Sequence, residues 1–209
     1  MKKEIKFFVN EIFQSIQGEG LLLGTGMNFI RFTKCNKSCK WCDTNFKKGK
    51  EMNTKEILKR LDRRFRWVSL TGGEPMLEKN LSKLIKRLRK QKYKIFLETN
   101  ATLFDEKIFS ICDFISIGLK APSSGNSYYN ERVFSYVIKH PKKTQIKVVI
   151  HSKDDISFFR KIYKSNEKYK NWVLQPEWSV MKKLDYNAII REFPKVRIIP
   201  QTHKILKVK

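Results

Sequence analysis

The chain has 209 residues, 41% hydrophobic and 31% charged. That is enough for one well-buried domain over residues 1–209, and it excludes a disordered chain. Its net charge of +25 invites a nucleic-acid role, but Lys83, Lys86, Lys90, Lys161, Lys164, Lys168, Lys182 and Lys183 are spread over helical patterns instead of gathered among stacking aromatics. Nucleic-acid binding is therefore expected to be nonspecific at most. The opening Met1-Lys2-Lys3-Glu4-Ile5-Lys6-Phe7-Phe8-Val9 has an apolar run of only three residues, neither a signal peptide nor a membrane span. With clustered, unpaired cysteines, a cytoplasmic protein without membrane association is expected.

In chain order, Gln14-Ser15-Ile16-Gln17-Gly18-Glu19-Gly20 reads in two ways. It is a polar hairpin turn, which the glycines suit, or a site in which Gln and Glu offer the donor and acceptor edges that a guanine-like or pterin-like ring requires. A strand-like run, Met27 to Phe32, leads into Thr33 to Thr44, where three of the four cysteines fall at Cys35, Cys39 and Cys42. One loop with this spacing can wrap a compact metal centre, yet it has one thiolate fewer than a four-iron cluster usually takes. One iron would be left open. A structural zinc completed by Cys112, His140, His151 or His203, and a disulfide between Cys39 and Cys42, stand as alternatives.

Beyond this loop, strand and helix patterns alternate, which argues for a mainly parallel α/β sheet. Strand-like runs are Trp67 to Leu70, Lys94 to Leu97, Phe114 to Ile117, Gln145 to Ile150, Trp172 to Leu174 and Val196 to Ile199. Between them, helices are expected after the cap-like pair Asn53 and Glu56, over Leu81 to Leu88, Asp105 to Ile111, Tyr129 to Lys139, Ile156 to Tyr163 and Asp185 to Phe193. Polar signatures follow the strands: Thr71-Gly72-Gly73-Glu74-Pro75, Glu98-Thr99-Asn100, Gly118-Leu119-Lys120, His151, Gln175-Pro176-Glu177 and Gln201-Thr202-His203-Lys204. Parallel α/β proteins bind ligands at strand C-termini, so these segments should converge on one mouth. The expected fold is an incomplete (β/α)6-type barrel, with residues 1–26 covering one edge and contributing to the site.

The Cys-x3-Cys-x2-Cys loop followed by Gly72-Gly73-Glu74 resembles the radical S-adenosylmethionine (SAM) enzymes, in which the open iron binds SAM and cleaves it to a 5′-deoxyadenosyl radical. Together with Glu11 to Gly20, Phe29-Ile30-Arg31-Phe32, Cys42-Asp43-Thr44, Leu97 to Asn100, Leu174-Gln175-Pro176 and Gln201 to Lys204, the set resembles the 7-carboxy-7-deazaguanine synthase family over nearly the whole chain. The resemblance implies conversion of 6-carboxy-5,6,7,8-tetrahydropterin to 7-carboxy-7-deazaguanine with loss of ammonia, on the route to queuosine and related 7-deazapurines. It also implies a homodimer, an electron donor such as a flavodoxin or ferredoxin, and Mg2+. On matching positions, Cys35, Cys39 and Cys42 would hold a 4Fe-4S cluster. Trp41, Cys42, Asp43, Gly73, Glu74, Gly118, Leu119, Lys120, Gln175, Pro176, Glu177 and Trp178 would line the SAM site. Ile16, Gln17, Gly18 and Glu19 would meet the pterin, Arg31 would pair its carboxylate, Thr71 would touch it, and Lys209 would reach it through a terminal carboxylate. Thr44 would ligate Mg2+ through its hydroxyl, with the substrate carboxylate and waters completing the shell.

Ala101 departs from the family's usual glycine, so a turn there that needs positive φ would have to differ. Gly118-Leu119-Lys120 replaces a serine-containing triplet. Cys112 matches no motif and reads as a buried structural thiol. Two rival readings are a glycyl-radical activating enzyme, against which the Gln17 to Glu19 and Gln201 to Lys204 segments weigh, and a zinc-dependent RNA-binding module.

Overall fold

The computed structural model describes residues 4–44 and 49–209, so residues 1–3 of the expected edge-covering segment lie outside the described residues. Among the described residues nine strands form one sheet: β1 (Lys6–Ile16), β2 (Gly26–Phe32), β3 (Lys50–Asn53), β4 (Trp67–Gly72), β5 (Lys94–Thr99), β6 (Phe114–Leu119), β7 (Thr144–Ile150), β8 (Trp172–Pro176) and β9 (Arg197–Ile198). Their order is β3-β1-β2-β4-β5-β6-β7-β8-β9, parallel from β2 to β9, with β1 and β3 added antiparallel at one edge. The sheet is not closed, which agrees with the expected partial barrel.

Helices α1 (Thr54–Lys59), α2 (Leu81–Lys90), α3 (Glu106–Ile111), α4 (Glu131–Lys139), α5 (Lys153–Lys164) and α6 (Tyr186–Glu192) are the six expected from periodicity, and a short α7 (Thr202–Ile205) follows β9. Asn53 and Glu56 form the expected reciprocal cap of α1, at 2.6 and 2.9 Å. Leu81, Leu84, Ile85 and Leu88 of α2 are all fully buried, while the lysines named above face solvent. Among the described residues, no helix is long and apolar enough to cross a membrane.

The strands bury both faces but with different chemistry. Outward residues such as Val68, Leu70, Ile95, Leu97, Ile115, Ile117, Ile146, Val148 and Leu174 join the helices in the main core. Inward residues are apolar at the base, where Met27, Phe29 and Phe96 make a second small cluster. One or two steps further along, the inward face turns polar, with Arg31, Thr71, Glu98, Lys147 and Gln175.

Strand β1 required a local defect to join this pattern. Val9 pairs with Phe32 and Glu11 with Arg31, so Asn10 is an extra residue, a β-bulge. Because side chains alternate, one inserted residue exchanges the faces. Phe7 and Val9 therefore point into the main core, and beyond the bulge Ile12 does, while Phe13 packs on the inner cluster.

Candidate active site

The inner face opens at the strand C-termini into a cavity of about 460 Å³. The double glycine after β4 lets the cysteine loop lie directly on the strand end. Gly73 donates its N–H to Phe32 O at 3.0 Å, Glu74 N donates to Lys34 O at 2.6 Å, and a Cβ on Gly73 would overlap the Lys34 carbonyl. Glycine is thus required here for loop and strand to touch. Across the cavity Lys37 ties the same loop down, donating to the carbonyls of Asn126 (2.7 Å) and Tyr128 (2.5 Å).

Cys35, Cys39 and Cys42 all line this cavity, with Trp41, Asp43 and Thr44. Asn100 Nδ2 lies 3.9 Å from Cys35 Sγ, a donor aimed at sulfur. Burial pushes the Cys39 thiol up, with Lys120 opposing. Among the described residues, no three His, Cys, Asp or Glu side chains are placed to hold a single metal ion. Three cysteine thiols on one cavity fit a cluster, which is held by cysteine thiolates.

Glu74, expected beside SAM, does not line the cavity. It is fully buried, accepting from Thr99 Oγ1 (2.8 Å), Asn100 N (2.6 Å) and Met76 N (3.0 Å), and so joins the end of β4 to the end of β5. Burial pushes its carboxyl up against these donors. Pro176 and Trp178 also fall outside the cavity: Pro176 is buried in β8, and Trp178 is partly exposed with Lys204 Nζ 5.8 Å from its ring centroid. Gly73, Gly118, Leu119, Lys120, Gln175 and Glu177 do line it. Lys120 Nζ lies 5.7 Å from the Trp41 ring centroid, and Glu177 accepts from or pairs with His151 Nδ1 at 3.2 Å.

At the other end, Ile16, Gln17, Gly18 and Glu19 form a wall. Gln17 is buried and donates to Glu98 Oε1 at 3.4 Å, while Thr71 Oγ1 donates to Glu98 Oε2 at 2.6 Å. Glu19 pairs with Lys147 and accepts from Gln175 Nε2 (3.1 Å) and Gln201 Nε2 (2.9 Å). Burial opposes its ionisation, but Lys147 prevails and holds the carboxyl well below the usual range. The C-terminal segment closes over this wall: Thr202 N donates to Gly18 O at 2.9 Å, and the His203 ring packs where a Cβ on Gly18 would sit. Lys209 lines the cavity and pairs through its ammonium with Glu11.

Arg31 is not a free guanidinium. Its Nε donates to Glu11 Oε1 at 2.8 Å and its NH1 to Thr44 Oγ1 at 3.3 Å, leaving further N–H groups of the two terminal nitrogens available.

Glu98, Gln201 and His203, from the polar signatures expected at the mouth, line the cavity, and so does Lys147, which the sequence reading did not single out. The signal for Lys147 was present as alternation, Gln145-x-Lys147-x-Val149 against Ile146-x-Val148-x-Ile150, within a run read only as strand-like.

The radical SAM superfamily profile matches residues 29–146. A 7-carboxy-7-deazaguanine synthase from Thermoplasma acidophilum is 32% identical over 206 residues, covering 95% of this chain and 96% of its own length. One from Archaeoglobus fulgidus is 33% identical, covering 95% of this chain and 97% of its own. In three dimensions, QueE from Escherichia coli superposes with a TM-score of 0.73 at 23% identity, covering 95% of each chain, and shares the fold. With three cysteines, the double-glycine turn and the Gln17 to Glu19 wall on one cavity, this chain belongs to the 7-carboxy-7-deazaguanine synthase family of the radical SAM superfamily.

Proposed function

We propose that this chain is a radical SAM lyase that converts 6-carboxy-5,6,7,8-tetrahydropterin to 7-carboxy-7-deazaguanine with loss of ammonia, on the route to queuosine and other 7-deazapurines. The family match over 95% of the chain carries the reading, and one cavity lined by all three loop cysteines and by the Gln17 to Glu19 wall supports it. The 4Fe-4S cluster and SAM that the family uses supply the radical that starts the ring contraction.

The chain's own residues bind and orient. Cys35, Cys39 and Cys42 hold the cluster, and Gly73, the Gly118 to Lys120 turn, Gln175 and Glu177 surround SAM. Gln17, Gly18 and Glu19 take the polar edge of the pterin. Thr71, its hydroxyl fixed by Glu98, bounds the ring. Arg31 clamps the substrate carboxylate with its terminal nitrogens, because Glu11 already occupies Nε. Lys209, which lines the same cavity, adds a further contact.

Thr44 alone is a poor Mg2+ site: it offers one neutral oxygen, with the Arg31 guanidinium donating to it at 3.3 Å. Mg2+ would therefore bind with the substrate, whose carboxylate brings the charge that the protein lacks. Residues 1–209 act as one domain in this reading. A homodimer, and a flavodoxin or ferredoxin whose acidic surface would complement the +25 charge, complete it. Ammonia release on anaerobic incubation of the reconstituted protein with 6-carboxytetrahydropterin, SAM and reductant tests the assignment; release that persisted without the three loop cysteines would refute it.

A further inference from the structure

Arg31 lines the cavity, whereas Glu11, directly across the antiparallel ladder from it, stands behind it. Glu11 Oε1 accepts from Arg31 Nε at 2.8 Å, and its second oxygen pairs with Lys209 Nζ. Both cations also lie over the Phe13 ring, at 5.6 Å for the guanidinium carbon and 4.9 Å for Lys209 Nζ. Two like charges sharing one ring repel unless an anion stands between them. Glu11 is that anion: burial works against its charge, yet Lys209 and Arg31 hold its carboxyl below the ordinary range.

The backbone is built to bring this about. Were Val9, Asn10 and Glu11 paired as a regular strand without the bulge, Glu11 would continue the face of Phe7 and Val9 and enter the main core. Bulges commonly re-aim side chains beside sites, and here the re-aimed residue is the one that meets Arg31. With Nε held from behind and NH1 reaching Thr44 on the cavity wall, the guanidinium can rotate about neither contact without losing the other.

We propose that Glu11 is a positioning residue for substrate recognition: it holds Arg31 so that the terminal N–H edge faces the substrate's carboxylate, and it screens Arg31 from Lys209. This rests on the reading of Arg31 as the carboxylate clamp. Glu11 discriminates for the carboxylate through Arg31 and leaves the rest of the pterin alone.

The test uses the reconstituted, SAM-bound enzyme under anaerobic conditions and two fluorescent, oxidised probes, 6-carboxypterin and pterin. The quantity read is the ratio of the two dissociation constants. Arg31→Met should abolish the preference for 6-carboxypterin. Glu11→Ala should lower it by about tenfold or more, with pterin affinity unchanged, and should add nothing in the Arg31→Met background. Glu11→Gln, which keeps an oxygen acceptor for Nε, should restore most of the preference. Glu11→Asp, one methylene shorter, should pull the guanidinium back and lower it severalfold, so a poorly folded alanine variant does not end the test. If Arg31→Met kept the preference, the clamp itself would be wrong. If Arg31→Met abolished it while Glu11→Ala and Glu11→Asp left it intact or strengthened it, the clamp would stand and the role of Glu11 would fall.

Discussion

Replacing Lys147 by methionine isolates the ion pair that fastens the N-terminal loop to the sheet. The side chains of Lys147 and Glu19 are 13% and 15% exposed, and Glu19 keeps the amide donors of Gln175 and Gln201 but loses the Lys147 ammonium once that residue is replaced. Removing one partner of a buried pair costs roughly 3 to 5 kcal/mol, and the residual exposure brings this to about 2 to 4 kcal/mol. For a chain of this size that corresponds to a fall in Tm of about 5 to 15 °C. The pH dependence identifies the source. Glu19 has its carboxyl held below the ordinary value of 4.5 in the folded chain, so the pair contributes fully above about pH 4.5 and its contribution fades as pH falls below that. Lys147→Met should therefore be most destabilising near pH 7 and approach the parent protein in acid. Glu19→Gln combined with Lys147→Met should cost less than the sum of the two single changes. Thermal melts by circular dichroism between pH 3 and 8 measure this, and an unchanged Tm at pH 7, or a loss that did not vary with pH, would refute the reasoning.

Other outcomes follow from single contacts. Ala101 is fully buried with φ +64°, a conformation that costs a non-glycine residue about 1 to 2 kcal/mol; Ala101→Gly should raise Tm by a few degrees in the same melts. Alanine at Cys35, Cys39 or Cys42 should abolish the brown chromophore, whereas Cys112→Ala should keep it, because Cys112 is buried on the other face of the sheet's core with Sγ 3.2 Å from Ile108 O; loss of iron from Cys112→Ala would count against the open iron. Thr44→Ala should weaken the response of turnover to Mg2+ while leaving chromophore and SAM binding in place. Any RNA affinity should fall steeply with salt and ignore sequence, as filter binding at two ionic strengths would report.

The parallel strands and the six helices were legible because each strand carries a short run rich in β-branched and aromatic residues and each helix a regular apolar spacing. Strand β1 was not, since the bulge at Asn10 breaks its alternation: Phe7 and Val9 share one parity, Ile12 the other. The short β3 owes its pairing to β1 and has no apolar pattern of its own. Motif matching brought Gln17, Arg31, Thr71 and the cysteines to one cavity, but it could not show which way a carboxylate turns. Glu74 reads in sequence as a carboxylate beside a glycine turn, and its side chain is a buried tie between two strands. Glu11 reads as one letter of a motif, and only the bulge reveals that it faces Arg31. At Ala101 the sequence suggested an altered turn, whereas the chain keeps positive φ and accepts the strain.

The central claim is that this cavity contracts a pterin ring by radical chemistry. Mass spectrometry after anaerobic incubation of the reconstituted chain with reductant, SAM, Mg2+ and 6-carboxy-5,6,7,8-tetrahydropterin measures it directly. The account predicts 7-carboxy-7-deazaguanine accumulating over many turnovers and only when SAM and reductant are both present; intact pterin after incubation of cluster-loaded, SAM-cleaving protein would contradict it.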